Sequence, residues 1–250
     1  FIGIGGIGMS GIAEVLLNLG YSVQGSDLKK TKITDRLGLL GATIFNSHSK
    51  ENIKNASVVI YSSAIHIENI ELVYSKEIGL PIVSRAEMLA ELMRLKLNVV
   101  VAGSHGKTTT TSLAAALIEN GNLDPTVING GVIKAYGSNA RLGEGDWMVV
   151  EADESDGSFN KLPVTIAIVT NIDKEHLDYY GNFDRLKKAF MRFISSIPFY
   201  GVAICCSDDK NISKIISKIK DRKIITYGFS GNSNIRIKNL SFREGVSHFD

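Results

Sequence analysis

The run Gly103-Ser104-His105-Gly106-Lys107-Thr108-Thr109 has the residue types that hold a nucleoside triphosphate. A glycine at 106 lets the backbone approach a phosphate, Lys107 can neutralise β- and γ-oxygens, and the Thr108 hydroxyl can ligate Mg²⁺. The run follows the apolar stretch Asn98–Ala102 and opens a helical pattern, which is the strand–loop–helix context such a loop requires. Its spacing, G-x-x-G-K-T-T, is shorter than the usual form: the outer glycine stands at Gly103, where the longer pattern would put it at Val101. His105 lies inside the loop, with a ring donor for a phosphate or for the group being phosphorylated. The chemistry implied is binding of ATP or GTP.

A second glycine loop lies about a hundred residues earlier. Gly3, Gly5 and Gly8 fit G-x-G-x-x-G ahead of a helical run. The backbone N–H groups of such a loop, with the positive end of the helix, can face a diphosphate. Asp27 closes the next strand, where an acid can meet a ribose hydroxyl. A dinucleotide such as NAD, a UDP group and a purely structural glycine turn all satisfy this pattern. An enzyme with one site for ATP and another for a nucleotide-linked substrate explains both loops. A dehydrogenase leaves Gly103–Thr109 without a role, and a regulatory nucleotide switch leaves Gly3–Gly8 without one.

Carboxylates and a histidine follow. Trp147–Val150 runs into Glu151-Ala152-Asp153-Glu154-Ser155-Asp156, acids at the end of an apolar strand in a chain with a phosphate loop. That is where a further magnesium-binding group sits in nucleotide-hydrolysing folds, although a solvated acidic loop reads the same way. Ile166–Thr170 ends in Asn171-Ile172-Asp173-Lys174-Glu175-His176-Leu177-Asp178, again polar groups at the carboxyl end of a strand. His48, His66 and His248 have no such company and read as surface or packing residues. Cys205 and Cys206 are adjacent in a strand-like run, so they point to opposite faces and share neither a metal nor a disulfide.

Elements that position these residues alternate along the chain. Strands are expected at Tyr21–Gly25, Ala42–Phe45, Val58–Ser62 and Pro81–Val83, between helices at Ser10–Leu19, Ile33–Leu40 and Glu68–Glu77. Ile12, Val15, Leu16 and Leu19 recur at helical spacing and predict one face laid on a sheet. Arg85–Leu95 reads as an amphipathic helix with Met88, Leu89, Leu92 and Met93 inward. Beyond a boundary near Leu97 come a helix at Thr108–Asn120, strands at Trp147–Glu151 and Thr165–Thr170, a helix at Phe183–Ile194, and a strand at Val202–Cys206. A helix at Asn211–Ile219 and a strand at Ile224–Tyr227 follow, then a small antiparallel appendage around Asn234–Leu240. The alternation predicts an α/β chain with parallel sheets and right-handed crossovers. With 250 residues, 44% hydrophobic and 22% charged, it has material for two ordinary domains. A net charge of +2 does not argue for nucleic acid or an anionic membrane. No stretch approaches the ~20 apolar residues that span a bilayer. The expectation is a cytoplasmic protein with no nucleic-acid partner and no membrane insertion.

Taken together, the motifs Gly3–Gly11 (GIGGIGMSG), Ser84–Leu89 (SRAEML), Gly103–Thr111 (GSHGKTTTT), Asn139–Gly143 (NARLG), Glu151–Phe159 (EADESDGSF) and Thr170–Asp178 (TNIDKEHLD) resemble the Mur ligases. The resemblance runs in order along essentially the whole chain. It implies an N-terminal Rossmann-like parallel-sheet domain for a UDP-sugar (1–97), then a P-loop-type α/β ATP-binding domain (98–250, incomplete). A C-terminal domain for the incoming amino acid would be absent. The run EADESDGSF points to the member that joins L-alanine to UDP-N-acetylmuramate in peptidoglycan precursor synthesis, rather than to the ligase that recycles a murein tripeptide. The implied reaction phosphorylates the muramyl carboxylate with ATP and Mg²⁺, and the amine of L-alanine then attacks the acyl phosphate.

Carried over by motif, Lys107 and His105 are the catalytic candidates, and Gly103, Ser104, His105, Gly106, Lys107, Thr108 and Thr109 hold ATP. Thr108, Glu151 and His176 form the magnesium environment. Gly5, Gly6, Gly8 and Ser10 face the UDP diphosphate, with Asp27 toward the nucleoside and Asn139 and Arg141 on the substrate side. Ser104 stands where the family usually has Thr, and Glu175 where Asp is common; hydroxyl and charge are both kept. The glycine loop ordinarily follows a full strand, whereas only Phe1-Ile2 precede Gly3, without an initiator Met. The expectation is a chain clipped at its N-terminus and truncated within its central domain, which by itself does not complete ligation.

Overall fold

The computed structural model describes Phe1–Asp250. The chain folds into two compact units, Phe1–Lys96 with Ser112–Val150, and Leu97–Thr111 with Glu151–Asp250.

The first unit begins with Phe1-Ile2 and the glycine loop, then α1 (Ile7–Asn18), β1 (Gln24–Ser26), α2 (Lys32–Leu39) and β2 (Thr43–Phe45). β3 (Val59–Tyr61), α3 (Ile70–Glu77), β4 (Ile82–Ser84) and α4 (Arg85–Met93) complete the alternation. β1 pairs in parallel with β2, and β3 with β4. Ile2 lies between the pairs, in parallel bridges to Ser26 and Tyr61. The segment before the glycine loop is thus central, and the loop emerges at the carboxyl end of the sheet, where ligands bind in such folds. The inward face of α1 holds Ile12, Val15 and Leu16, all buried. Leu19, expected there too, caps the helix and is 44% exposed, because the helix ends at Asn18. On α4, Leu89, Leu92 and Met93 are buried as expected, while Met88 is only half-buried. A capping box at its start, with Ser84 Oγ accepting from the Glu87 N–H and Glu87 reaching back to the Ser84 N–H, fixes where it begins.

After β5 (Leu97–Ala102) and α5 (Lys107–Asn120), the chain forms β6 (Thr126–Ile133), β7 (Ser138–Arg141) and β8 (Trp147–Glu151). β6 pairs antiparallel with β7 and parallel with β8. The sequence pattern does not predict the β6–β7 hairpin. Its strands carry Asn129-Gly130-Gly131 and a register shift between Ile128 and Ile133, which break the alternation that marks a strand. The hairpin belongs to the first unit for local reasons. Gly11 of α1 leaves room for Asn139 and Ala140, and Ser138 Oγ donates to buried Glu14 at 2.6 Å. Glu14 in turn pairs with Arg36 at 2.7 Å.

The second unit is built on β5, whose residues 98–102 are all buried. It continues with β9 (Ile166–Val169), α6 (Leu177–Tyr180), α7 (Phe183–Ser195), β10 (Val202–Cys206), α8 (Lys210–Ile216), β11 (Ile224–Gly228) and β12 (Ile235–Arg236). The parallel neighbours are β5 with β9, β9 with β10, β10 with β11 and β11 with β12. α7 buries Leu186, Ala189, Phe190, Phe193 and Ile194, one helical stripe. Phe159 packs with its ring centroid 5.2 Å from those of Phe190 and Phe193. β13 (Ser241–Arg243) and β14 (Val246–His248) form an antiparallel hairpin. This corrects the expected position of the appendage: Ile235–Arg236 extends the parallel sheet, and the reversal comes later, at Glu244-Gly245, where both residues have positive φ. Cys205 is buried and Cys206 half-buried, both free, as residues on opposite faces should be. No helix is long and apolar enough to cross a membrane.

Candidate functional site

In the second unit, the loop between β5 and α5 is held by the segment that follows β9. Ser104 N–H donates to Asn171 O at 3.0 Å, and Asp173 N–H donates to Ser104 Oγ at 2.8 Å. Asn171 accepts from the His105 N–H at 2.8 Å and donates to the His105 carbonyl at 2.9 Å, which also accepts from Thr170 Oγ1 at 2.7 Å. Gly103 has φ +141°, and a Cβ there would overlap the Thr170 hydroxyl, so glycine is required by conformation and by space. Gly106 has φ +78° with open space at its Cβ position, leaving the backbone approachable. α5 starts at Lys107, and Thr108 and Thr109 are exposed on its first turn.

Lys107 Nζ donates to Gly103 O at 2.6 Å, to Ser104 O at 3.3 Å and to Glu154 Oε1 at 2.8 Å. Glu154 is 1% exposed. Burial pushes its carboxyl above the usual range, against the opposing pull of Lys107. Its second oxygen, Oε2, is buried without a hydrogen-bond partner. His176 Nε2 lies 3.7 Å from Glu154 Oε1. Thr108 Oγ1 donates to Glu151 Oε1 at 3.1 Å. His105 Nε2 is 3.5 Å from Asp173 Oδ2 and 3.7 Å from Glu175 Oε1. The Asp173 carboxyl is held below its usual range, mainly by the Lys174 N–H and then by His105.

The magnesium candidates Thr108, Glu151 and His176 therefore fall into two groups. Thr108 meets Glu151, while His176 is joined by Glu154 and Glu175, whose ligand atoms and its own lie within 4.8 Å of one another. This donor set fits a hard divalent cation: carboxylate and hydroxyl oxygens dominate, and the orphaned Glu154 oxygen lacks a positive partner. In sequence Glu154 is one acid of a run. Nothing in the local pattern separates the buried acid from Asp153 and Asp156, because strand periodicity ends at Glu151. Thr170 and Asn171, polar residues at a strand end in the sequence, hold the phosphate loop.

In the first unit, the glycine loop turns into α1 with no acidic residue in the first helical turn and no side chain capping its N-terminus. Unpaired N–H groups and the positive helix end remain available there to an anion. Gly5 N–H donates to Asp27 Oδ2 at 2.9 Å, and a Cβ at Gly5 would lie 2.8 Å from that oxygen. Asp27 Oδ1 accepts from the Lys29 N–H. Gly6 is the residue just before α1, with no atom closer than 3.6 Å to its Cβ position. Gly8 leaves space for the Arg85 guanidinium, whose Nη1 would be 2.9 Å from a Cβ. Ser10 is buried and its hydroxyl donates to Ile7 O at 2.9 Å, bracing the first turn of the helix. Asn139 Nδ2 donates to the same carbonyl at 2.6 Å. Arg141 is committed elsewhere, to Asp124 at 2.5 Å and Glu119 at 3.3 Å, with its guanidinium over the Tyr136 ring. The structure thus gathers Gly5, Gly6, Gly8, Ser10, Asp27 and Asn139 about the start of α1 and leaves Arg141 in an ion-pair network.

Comparison with known proteins adds a family. The profile described as Mur ligase family, catalytic domain, matches residues 1–97, and that of the Mur ligase middle domain matches residues 101–250. Among curated relatives, the UDP-N-acetylmuramate–L-alanine ligases of Ruegeria sp. (strain TM1040) and Paracoccus denitrificans (strain Pd 1222) are 60% and 62% identical over all 250 residues. The chain spans 53% of the length of each. A solved UDP-N-acetylmuramate–alanine ligase from Thermotoga maritima is 30% identical, with a TM-score of 0.84 covering 96% of this chain and 54% of that one. A UDP-N-acetylmuramate:L-alanyl-γ-D-glutamyl-meso-diaminopimelate ligase from Neisseria meningitides shares the fold at a TM-score of 0.88, covering 98% of this chain and 84% of that one, with 23% identity.

Proposed function

Since this chain belongs to the Mur ligase family, we propose that it carries the UDP-sugar and ATP sites of an enzyme that joins L-alanine to the muramyl carboxylate of UDP-N-acetylmuramate. The relatives at about 60% identity bear that activity in their names, which supports the choice of substrates. The observation that carries the chemistry is the ammonium of Lys107, anchored on two loop carbonyls and aimed at a buried carboxylate.

A carboxylate is a poor acyl donor. Transfer of the γ-phosphoryl group of ATP to a muramyl carboxylate oxygen gives an acyl phosphate, from which phosphate can depart when an amine attacks. The demand on the protein is to hold gathered negative charge in one geometry. In this reading the backbone N–H groups of Gly103–Thr109 cradle the ATP phosphates. Lys107 turns its charge from Glu154 to the β- and γ-oxygens and stabilises the transferring group. His105, between Asp173 and Glu175, is poised to donate to a phosphate oxygen. Thr108, Glu151, Glu154, Glu175 and His176 would hold Mg²⁺, which when bound supplies charge neutralisation across the phosphates. Gly5, Gly6 and Gly8 would present backbone to the UDP diphosphate. Asp27 and Ser10 shape that loop, and Asn139 ties it to β7. Residues 1–97 and 98–250 are taken as the UDP-sugar and ATP domains, in a cytoplasmic protein.

Calorimetry tests the proposal directly. Saturable binding of both UDP-N-acetylmuramate and Mg²⁺–ATP is expected, with Lys107→Ala losing at least tenfold in ATP affinity and keeping the UDP-sugar. Tight NAD binding with no response to UDP-N-acetylmuramate would sink it.

A further inference from the structure

Tyr180 is a buried phenol outside the motifs that suggest chemistry, and its contacts lead back to the phosphate site. It ends α6, a helix of only four residues. Its hydroxyl donates to the main-chain carbonyl of Glu154 at 2.6 Å, in a buried contact. The same short turn opens on His176, whose imidazole lies 3.7 Å from the Glu154 carboxylate. One turn of chain therefore touches Glu154 twice, at the carboxylate through His176 and at the carbonyl through Tyr180.

That turn cannot hold itself in place. A single helical turn has too few hydrogen bonds to offset its nucleation. Its ends are held by the Tyr179 and Tyr180 N–H to His176 O and the Gly181 N–H to Leu177 O. His176 also sits in the left-handed region, at φ 55° and ψ 32°, a conformation that a non-glycine residue keeps only when its surroundings enforce it. The Tyr179 ring lies against Gly157, and the Tyr180 hydroxyl, set in a low-dielectric pocket, is the buried hydrogen bond that ties the end of this turn to Glu154 itself. Burial, first, and then the neighbouring Tyr179 and acids push the phenol far above its usual pKa, so it stays a donor at every working pH.

We infer that Tyr180 is a positioning residue that sets His176 against Glu154, and with it the cation affinity of the Glu154, Glu175 and His176 group. The inference rests on the reading of that group as a cation site. Tyr179 provides the control: it is the neighbouring ring, 57% exposed, packed edge-on to Tyr180 at 4.9 Å.

The experiment titrates Mn²⁺ alone into the 250-residue chain and follows the free-ion signal by electron paramagnetic resonance. A parallel thermal melt follows the fold. Tyr180→Phe, which removes one oxygen and keeps the ring, should weaken Mn²⁺ binding about tenfold while the melting midpoint falls by only a few degrees. Tyr179→Phe should leave affinity within twofold of the parent. Tyr180→p-aminophenylalanine, which restores a donor at the same reach, should recover most of the lost affinity. Parent-like Mn²⁺ binding by Tyr180→Phe would overturn the inference and leave the site reading intact, even if the midpoint fell. Failure of the parent chain itself to bind Mn²⁺ would remove the site reading and this inference with it. A Phe variant too unstable to study shifts the decision to the p-amino variant: folded, it must bind Mn²⁺ within about threefold of the parent, or the inference falls.

Discussion

Replacing Lys107 by methionine tests the central feature of the phosphate site without any ligand. The change removes the ammonium and keeps most of the stem, leaving Glu154 buried with one oxygen already unpartnered, His176 Nε2 at 3.7 Å and the Glu175 carboxylate close by. Removing one partner of a buried ion pair costs about 3–5 kcal/mol. Lys107 retains some solvent contact and Glu154 can escape part of the cost by taking up a proton, so the low end, about 3 kcal/mol at pH 8, is expected. For a chain of this size that corresponds to a midpoint lower by about 6–12 °C. The pH dependence follows from the direction of the shift. Burial already raises the Glu154 pKa in the folded state, and Lys107 opposes the rise. A raised carboxyl pKa favours folding at low pH and loses that contribution as pH climbs through the folded value. Without Lys107 the pKa climbs further, so the penalty grows above the unfolded value and fades below it, near pH 4.3. Scanning calorimetry at pH 8 and pH 5 should show the deficit shrinking on acidification. Adding Glu154→Leu to Lys107→Met should restore most of the midpoint. Equal midpoints at pH 8, or a deficit that grows toward pH 5, would refute the assignment of this contact as a buried ion pair.

Other substitutions address separate parts of the chain. Gly103→Ala should lose ATP binding by at least tenfold and lower the melting midpoint, since φ +141° and the Thr170 hydroxyl both exclude a Cβ; a parent-like titration would contradict this. Asp27→Ala frees the Gly5 N–H and should weaken UDP-N-acetylmuramate binding several-fold with ATP binding unchanged, as separate titrations would reveal. Arg141→Met should lower the midpoint by a few degrees while changing UDP-N-acetylmuramate affinity by less than threefold, because the guanidinium is engaged by Asp124 and Glu119; a larger affinity loss without a stability change would place Arg141 on the substrate. Burial pushes the Cys205 thiol up to about 12, so brief maleimide labelling at pH 8 should modify Cys206 first, with mass spectrometry giving the order.

Much of the fold was legible because its strands and helices follow simple periods. The stripe Leu186, Ala189, Phe190, Phe193 and Ile194 repeats at helical spacing, and Val99–Val101 is an apolar run of the length a buried parallel strand needs. The hairpin of β6 and β7 was not legible for an equally physical reason. Asn129-Gly130-Gly131 reads as a turn when only local propensity is considered, and its pairing is decided by residues distant in sequence, including Ser138 on Glu14 and Asn139 on Ile7. Contacts across more than a hundred residues leave no periodic trace. The helix end at Asn18, which exposes Leu19, is likewise set by the turn at Gly20, with φ +88°, rather than by the apolar pattern that continues past it.

The site divides in the same way between what spacing encodes and what burial decides. A loop that must wrap phosphate needs glycines and a lysine at fixed offsets, so Gly103–Thr109 announces itself in one dimension. The carboxylate that answers Lys107 does not, since Glu151, Asp153, Glu154 and Asp156 offer the same group within six residues. Only the fold distinguishes them. Glu151 ends β8 beside Thr108, whereas Glu154 is drawn inward, with its carbonyl held by Tyr180 and its carboxylate on Lys107. An acid buried at that cost is kept in place only where a positive partner is present, and Lys107 is that partner while no nucleotide is bound. Phosphates entering the loop compete for the same ammonium. Glu154 must then find another cation or a proton, and its carboxylate, with Oε1 facing His176, Glu175 nearby and Oε2 unpartnered, provides for the cation. On this argument cation and triphosphate bind with positive coupling, because each relieves the charge left by the other.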